Sequence, residues 1–277
     1  MVWEVLLQLS SANAIQSNDA HKTYRWWKFL CLMALINMTA WLYVFFNYET
    51  TETVFYIQAS LSGIYVLVCA FRSFYPRIDL ERYCLHDSPL SSVALGRTCA
   101  TIAEVCFSAQ LAIIVYGLSE TLDSVIMLYI SYSLVPIIMI AQLFCWHATL
   151  TLNHFWHSME ELTWVIMLSL ISGCFISGYF LLPIDYKQLM AIGIICCLFS
   201  MWIMLFVDIP MYLSRSREHH QKGHNLLNIK EGLQDAILRR VHTNDWRIWK
   251  KEVLWITSYF TVGVWLSIAM VVIRFHH

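Results

Sequence analysis

Seven stretches of this 277-residue chain are apolar over roughly the 20 residues that a helix needs, at about 1.5 Å per residue, to cross a bilayer core of about 30 Å. They fall near residues 29–46, 53–71, 91–117, 124–147, 162–183, 189–212 and 252–273. Backbone polar groups find no water in hydrocarbon, so each stretch must satisfy its own as a helix. The expected fold class is therefore all-α, a polytopic integral membrane bundle of seven transmembrane helices. With 58% hydrophobic and 13% charged residues and a mean hydropathy of +0.57, the composition excludes an ordinary soluble domain. A net charge of −1 offers nothing to nucleic acid.

Lysine and arginine mark the cytoplasmic flanks of membrane helices, so their positions give an expected direction. Lys22, Arg25 and Lys28 precede span one; Arg72, Arg77 and Arg82 lie between spans two and three, with Arg97 just inside span three. Nine more, from Arg215 to Lys251, fill the connection between spans six and seven. Of the 18 basic residues only Lys187 and Arg274 fall on the other side, where the connections NYETTE and SETLD are acidic. The expectation is a cytoplasmic N-terminus and a C-terminus outside.

The chain then divides into an N-terminal cytoplasmic interfacial segment (1–28), spans one to six (29–213), a cytoplasmic basic connection (214–251), and span seven with a short outside tail (252–277). Within the first segment Val2, Val5, Leu6 and Leu9 share one face of a short interfacial helix. In the basic connection Asn228 and Glu231 have capping-box spacing, and Ile229, Leu233, Ile237 and Val241 form an apolar stripe with basic neighbours. That pattern predicts an amphipathic helix on the cytoplasmic leaflet, suited to anionic lipid, with Trp246 and Trp249 at the interface before span seven. His219, His220 and His224 beside it read as a solvated loop.

Several seven-span chemistries are excluded. The direction is opposite to that of G-protein-coupled receptors, and span seven carries neither the lysine of a retinal Schiff base nor the histidine pair of the zinc hydrolases related to adiponectin receptors. The nine cysteines form no C-x-x-C pair and read as small buried hydrophobes.

What remains is a set of polar residues at membrane depth. Ser88 and Pro89 mark the entry to span three, which puts Arg97 about 12 Å and Glu104 about 22 Å along the helix, with Thr101 on the same face. Ionisable groups at such depths cost about 2.5–3.5 kcal/mol unless partnered, so they must face protein or trapped water. Asp208, near the inner end of span six, lies at the depth of Arg97, which leaves two readings: an interhelical Arg97–Asp208 ion pair that fixes packing, or Arg97 holding an anionic headgroup or phosphate beside Asp208. The stretch CWHATLTLNHFWHSMEEL, 145–162, joins spans four and five without any lysine or arginine. If the helix of span four continues through it, His147, His154 and Glu161 recur every seven residues and His157 joins their face. Asn153 stands where that helix would turn, and Glu160 and Glu161 would occupy the first turn of span five.

Three readings stand for this stretch: interfacial histidines without a ligand role, acid/base or substrate-binding groups, or a metal site. The catalytic candidates are His154, His157, Glu160 and Glu161, and the substrate-binding candidates are Arg97, Glu104, Asn153 and Asp208. The candidate metal ligands are His147, His154, His157 and Glu161, whose imidazole and carboxylate chemistry suits zinc or iron. The leading expectation is a membrane-embedded enzyme acting on a lipid or isoprenoid-like substrate, with membrane lipid as partner and anionic lipid at the cytoplasmic face. Its alternatives are a proton- or cation-coupled transporter or channel, and a non-catalytic receptor or assembly subunit.

Overall fold

The computed structural model describes residues 2–48, 50–221, 226–273 and 275, with side chains from residue 19 onward. Seven of its helices are long and apolar enough to cross a membrane. They are α1 (Val2–Asn47), α2 (Thr53–Phe74), α3 (Val93–Thr121), α4 (Val125–Thr151), α5 (His154–Leu181), the continuous run Ile184–Gln221, and the run Val253–Val272. This is the architecture of a multi-pass membrane protein. The sixth run consists of α6 (Ile184–Ile203), a π-turn at Met204–Asp208 and α7 (Ile209–Gln221). Pro210 lacks the amide hydrogen that an α-helix would need there, and the wider turn just before it absorbs the defect.

Helices that follow one another in sequence pack side by side, and the last one closes the bundle by returning onto α2. α3 is a shared wall. On one side Leu134, Ile138, Met167 and Ile171 build an apolar core among α3 to α6, while on the other Leu30, Val66 and Val264 build a second core among α1, α2 and the last span. Phe107 of α3 packs against both. Exposed Tyr43, Phe46, Leu143, Phe180, Ile195 and Phe199 cover the outside of the bundle, as a lipid-facing surface requires.

The end of the bundle that carries the basic residues holds structure that the sequence pattern did not predict. β1 (Arg77–Ile78), β2 (Tyr83–Cys84) and β3 (Val241–His242) form a small sheet, antiparallel between β1 and β2 and parallel between β2 and β3. It ties the α2–α3 connection to the connection before the last span. Beside it lies α8 (Ile229–Leu238), whose Asn228 cap accepts from the Glu231 amide at 2.9 Å. A side chain at Gly232 would place its Cβ 2.0 Å from the Leu150 carbonyl oxygen, so only glycine lets α8 rest on the end of α4. Ile229, Leu233 and Ile237 remain exposed on α8, whereas Val241 leaves the predicted stripe for the sheet.

Arg82 locks this layer. Its backbone is left-handed, at φ 60°, and its buried guanidinium donates to Asp235 Oδ2 at 2.8 Å and to the carbonyls of Asp79 at 2.7 Å and Thr149 at 3.0 Å. The next arginine is buried as well. Arg77 donates to Asp79 at 2.9 Å and to the Ser92 carbonyl, and its guanidinium fills the space that a side chain at Gly96 would take. Burial pushes the Arg77 pKa down to about 10. Burial also opposes ionisation of Asp79, but the guanidiniums of Arg77, Arg72 and Arg97 prevail and hold it well below the usual carboxylate range.

Three expectations need correction here. The N-terminal segment is not a separate interfacial helix, because α1 runs unbroken from Val2 to Asn47; the side chains of Val2, Val5, Leu6 and Leu9 lie outside the described residues. His219 and His220 belong to the last turn of α7 rather than to a loop, and His224 lies outside the described residues. Helix α5 begins at His154, eight residues before the predicted span, so Glu160 and Glu161 sit in its second turn and gain little from the helix dipole.

Candidate functional site

The turn between α4 and α5 explains why polar side chains gather here. Leu152 adopts the left-handed conformation at φ 58°, which ends α4, and the Asn153 side chain then accepts from the Phe155 amide at 3.1 Å to start α5. Two residues suffice to reverse the chain. The stretch 145–162 is therefore two antiparallel helices and not one, so the seven-residue repeat of His147, His154 and Glu161 does not define a common face.

Arg97 and Glu104 of α3 are both 7% exposed and pair with each other, Nη2 to Oε1 at 2.6 Å. Gln142 of α4 closes this pair: its Nε2 donates to Glu104 Oε2 at 2.5 Å, and its Oε1 accepts from Arg97 at 3.2 Å and from Thr101 at 2.8 Å. Trp146 completes the chain by donating to the Thr101 hydroxyl at 3.0 Å. The Arg97–Asp208 ion pair of the first reading is not formed. Glu104 lies on the same face of α3 as Arg97, so the two long side chains meet along the helix, and Asp208 Oδ2 is left buried without a hydrogen-bond partner among the described residues.

Next to this network, His157 and Glu160 of α5 pair through Nδ1 and Oε2 at 2.7 Å. The Cys145 sulfur of α4 lies 4.0 Å from the same ring nitrogen. Cys145, His157 and Glu160 are all buried, and one ligand atom from each falls within 4.8 Å of the others. Tyr212 of α7 stacks on the His157 ring at 5.0 Å and more distantly on His154 at 6.4 Å. The His154 ring also meets His219 edge-on at 5.1 Å. His147 is held apart, with its ring 4.7 Å from that of Trp156. Of the candidate metal ligands, the grouping with Cys145 and Glu160 contains only His157.

The charges of this region do not cancel. Arg97 has Cys145, Glu104, Glu160 and Asp79 as electrostatic neighbours, and Glu161 has Glu160, Asp208 and Glu104. Glu104, Glu160 and Glu161 thus share one guanidinium, with Asp208 adjoining Glu161, and Gln142 and Arg97 have already committed themselves to Glu104. Among the described residues His157 Nε2, Glu161 Oε2, Arg97 Nε and His154 Nδ1 are also buried without hydrogen-bond partners. Buried polar atoms are almost always satisfied, so this many in one cluster set the region apart from the rest of the bundle. A separate cavity of about 450 Å³ lies at the basic end between Trp27, Phe71, Phe74, Tyr75 and His86, none of which belongs to the cluster.

Gln142, Cys145 and Tyr212 are participants that the sequence reading passed over. A signal did exist for two of them, because Gln142 and Cys145, three residues apart, share one face of an otherwise apolar helix. No family model matches the chain, and neither a curated protein nor a solved structure matches it. The site's own chemistry therefore carries the functional argument.

Proposed function

We propose that this multi-pass membrane protein is a membrane-embedded enzyme acting on a lipid or isoprenoid-like substrate, with its basic end and N-terminus in the cytoplasm. The observation that carries the proposal is the buried His157–Glu160 pair at 2.7 Å, whose second ring nitrogen has no partner among the described residues. A carboxylate that orients an imidazole while the other nitrogen stays free is the arrangement a general base requires. Glu161 and Asp208 stand beside it as proton acceptors, and the Tyr212 ring fixes the imidazole plane. Arg97 supplies positive charge for an anionic headgroup; it meets Glu104 and Gln142 through Nη2 and has a buried Nε without a partner among the described residues. The exposed stripe of α8 and its neighbouring arginines suit it to an anionic leaflet, where substrate would enter.

The test reconstitutes purified protein in vesicles of total polar lipid and follows lipid composition by mass spectrometry. Wild type should convert one lipid class with time, and His157→Ala or Glu160→Gln should slow that conversion by about 10²–10⁴-fold, the contribution of a positioned acid/base group. Unchanged composition with wild type in every lipid mixture would remove the proposal. The acid excess favours a second reading, proton or cation transfer along the bundle. Vesicles loaded with a pH-sensitive dye would then show a flux that Glu161→Gln abolishes.

A further inference from the structure

We propose that Cys145, His157 and Glu160 bind a zinc ion. The inference rests on the same cluster as the enzyme reading and revises its chemistry: with zinc bound, His157 and Glu160 would serve as ligands, and activation of water would pass from the imidazole to the open position of the ion. A thiolate, an imidazole and a carboxylate are three ligands of the types zinc takes, and three protein ligands leave a fourth position open for water or substrate. The sulfur ligand separates this set from calcium and magnesium sites, which are built from oxygen.

The geometry is close to what the ion requires. Zinc–sulfur and zinc–nitrogen bonds of about 2.3 and 2.0 Å at a tetrahedral angle set ligand edges of roughly 3.5 Å for sulfur to nitrogen and 3.3 Å for nitrogen to oxygen. The observed edges are 4.0 and 2.7 Å, so each changes by only about half an ångström. The third edge, from Cys145 to Glu160, lies within 4.8 Å and would have to close toward about 3.5 Å. On binding, the Cys145 thiol loses its proton to a neighbouring carboxylate or to water, and the ion displaces the proton that His157 Nδ1 shares with Glu160 Oε2, which moves to Nε2 so that the imidazole stays neutral. One divalent ion with one thiolate and one carboxylate is neutral, so it offsets the charge of Glu160 and reduces the local excess of acid.

The surroundings supply an independent observation. His157 Nε2 becomes a donor once Nδ1 is a ligand, and among the described residues buried Glu161 Oε2 of the same cluster has no donor. Cys145 is fully buried in α4, with its sulfur toward the turn of α5 that carries His157.

The test uses the full chain in detergent micelles, stripped with chelator and titrated with zinc, then with cobalt as a spectroscopic substitute. One equivalent of zinc should remain after gel filtration, and cobalt should give visible bands of a tetrahedral site together with a near-ultraviolet sulfur-to-cobalt band. Cys145→Ser should lose the sulfur band, Glu160→Gln, which keeps side-chain shape, should weaken zinc by at least about tenfold, and Cys197→Ser should change neither. Folded wild type that retains no zinc overturns the proposal, as does a sulfur band that survives in Cys145→Ser. The two readings fail separately. Lipid conversion that needs His157 in a zinc-free protein would leave the acid/base pair standing, whereas zinc bound without any conversion would leave the metal site and remove the enzyme.

Discussion

Two buried polar seams flank α3, and they are built by opposite rules. Toward α2 and the last span, Gln110 donates through Nε2 to the carbonyls of Ser267 at 3.0 Å and Gln58 at 3.3 Å, and Gln58 donates back to the Gln110 carbonyl at 3.1 Å. Ser267 donates to Gln110 Oε1 at 2.6 Å and lies 3.0 Å from Ser62 Oγ. Every group there is neutral, and among the described residues Gln58 Oε1 is the one of these side-chain atoms that lacks a partner. Toward α4 and α5 the groups are ionisable, the acids outnumber the base, and His157, Glu161, Asp208 and Arg97 each keep a buried atom without a partner among the described residues. A neutral and closed seam fastens helices together. A charged and open one is stable only because the surrounding bundle holds it, the usual condition of a site kept for function.

The comparison breaks first at Arg97. Arg97→Met leaves Glu104 buried without its cation and should destabilise the protein by about 3–5 kcal/mol, whereas Arg97→Met with Glu104→Gln should recover most of that loss. Thermal unfolding in micelles, run as a double-mutant cycle, measures both. If the double variant is as unstable as the single one, the pair does more than neutralise charge. Gly232→Val should come next, at about 1–3 kcal/mol, because its side chain would collide with the Leu150 carbonyl and lift α8 from α4. Hydrogen exchange should then rise in 226–242 and remain unchanged in the helical cores.

Gln110→Leu sharpens the contrast from the neutral side. It removes three hydrogen bonds among helices, yet such bonds within membranes are individually worth about 0.6 kcal/mol and at most about 1.7, so a total loss of about 1–2 kcal/mol is expected with the charged site unaffected. Glu161→Gln should do the reverse. It removes one of the carboxylates that no guanidinium balances, so the melting temperature should hold or rise while function falls. A clear drop in stability would show that Glu161 is part of the scaffold.

The helices and the depth of their polar residues were legible because hydrophobic length and charge position are properties of sequence alone. Convergence on one region could be anticipated for Arg97, Glu104, His157 and Glu160 from depth, but the partners could not. Depth gives the level of a side chain and leaves its azimuth open, so Arg97 could be matched to Asp208 when Glu104 was nearer along its own helix. Gln142 and Cys145 escaped because a neutral amide and a thiol barely interrupt an apolar run. Two-residue strands carry no periodicity, which hid the sheet, and the α4–α5 reversal uses left-handed Leu152 where glycine would have announced it.

The smallest expected effect lies outside both seams, at the aromatic cavity. His86 packs edge-on against Trp27 at 4.8 Å and Tyr75 at 6.1 Å, its Nε2 is buried without a partner among the described residues, and burial together with nearby His242 lowers its pKa. A histidine whose folded pKa lies below its unfolded value contributes fully above the unfolded value of about 6.5 and loses that contribution as the pH falls toward the folded one. Acidification from pH 7.5 to 5.5 should therefore lower the melting temperature slightly, and His86→Gln should flatten the dependence. If His86→Gln leaves the slope intact, the sensitivity does not come from His86.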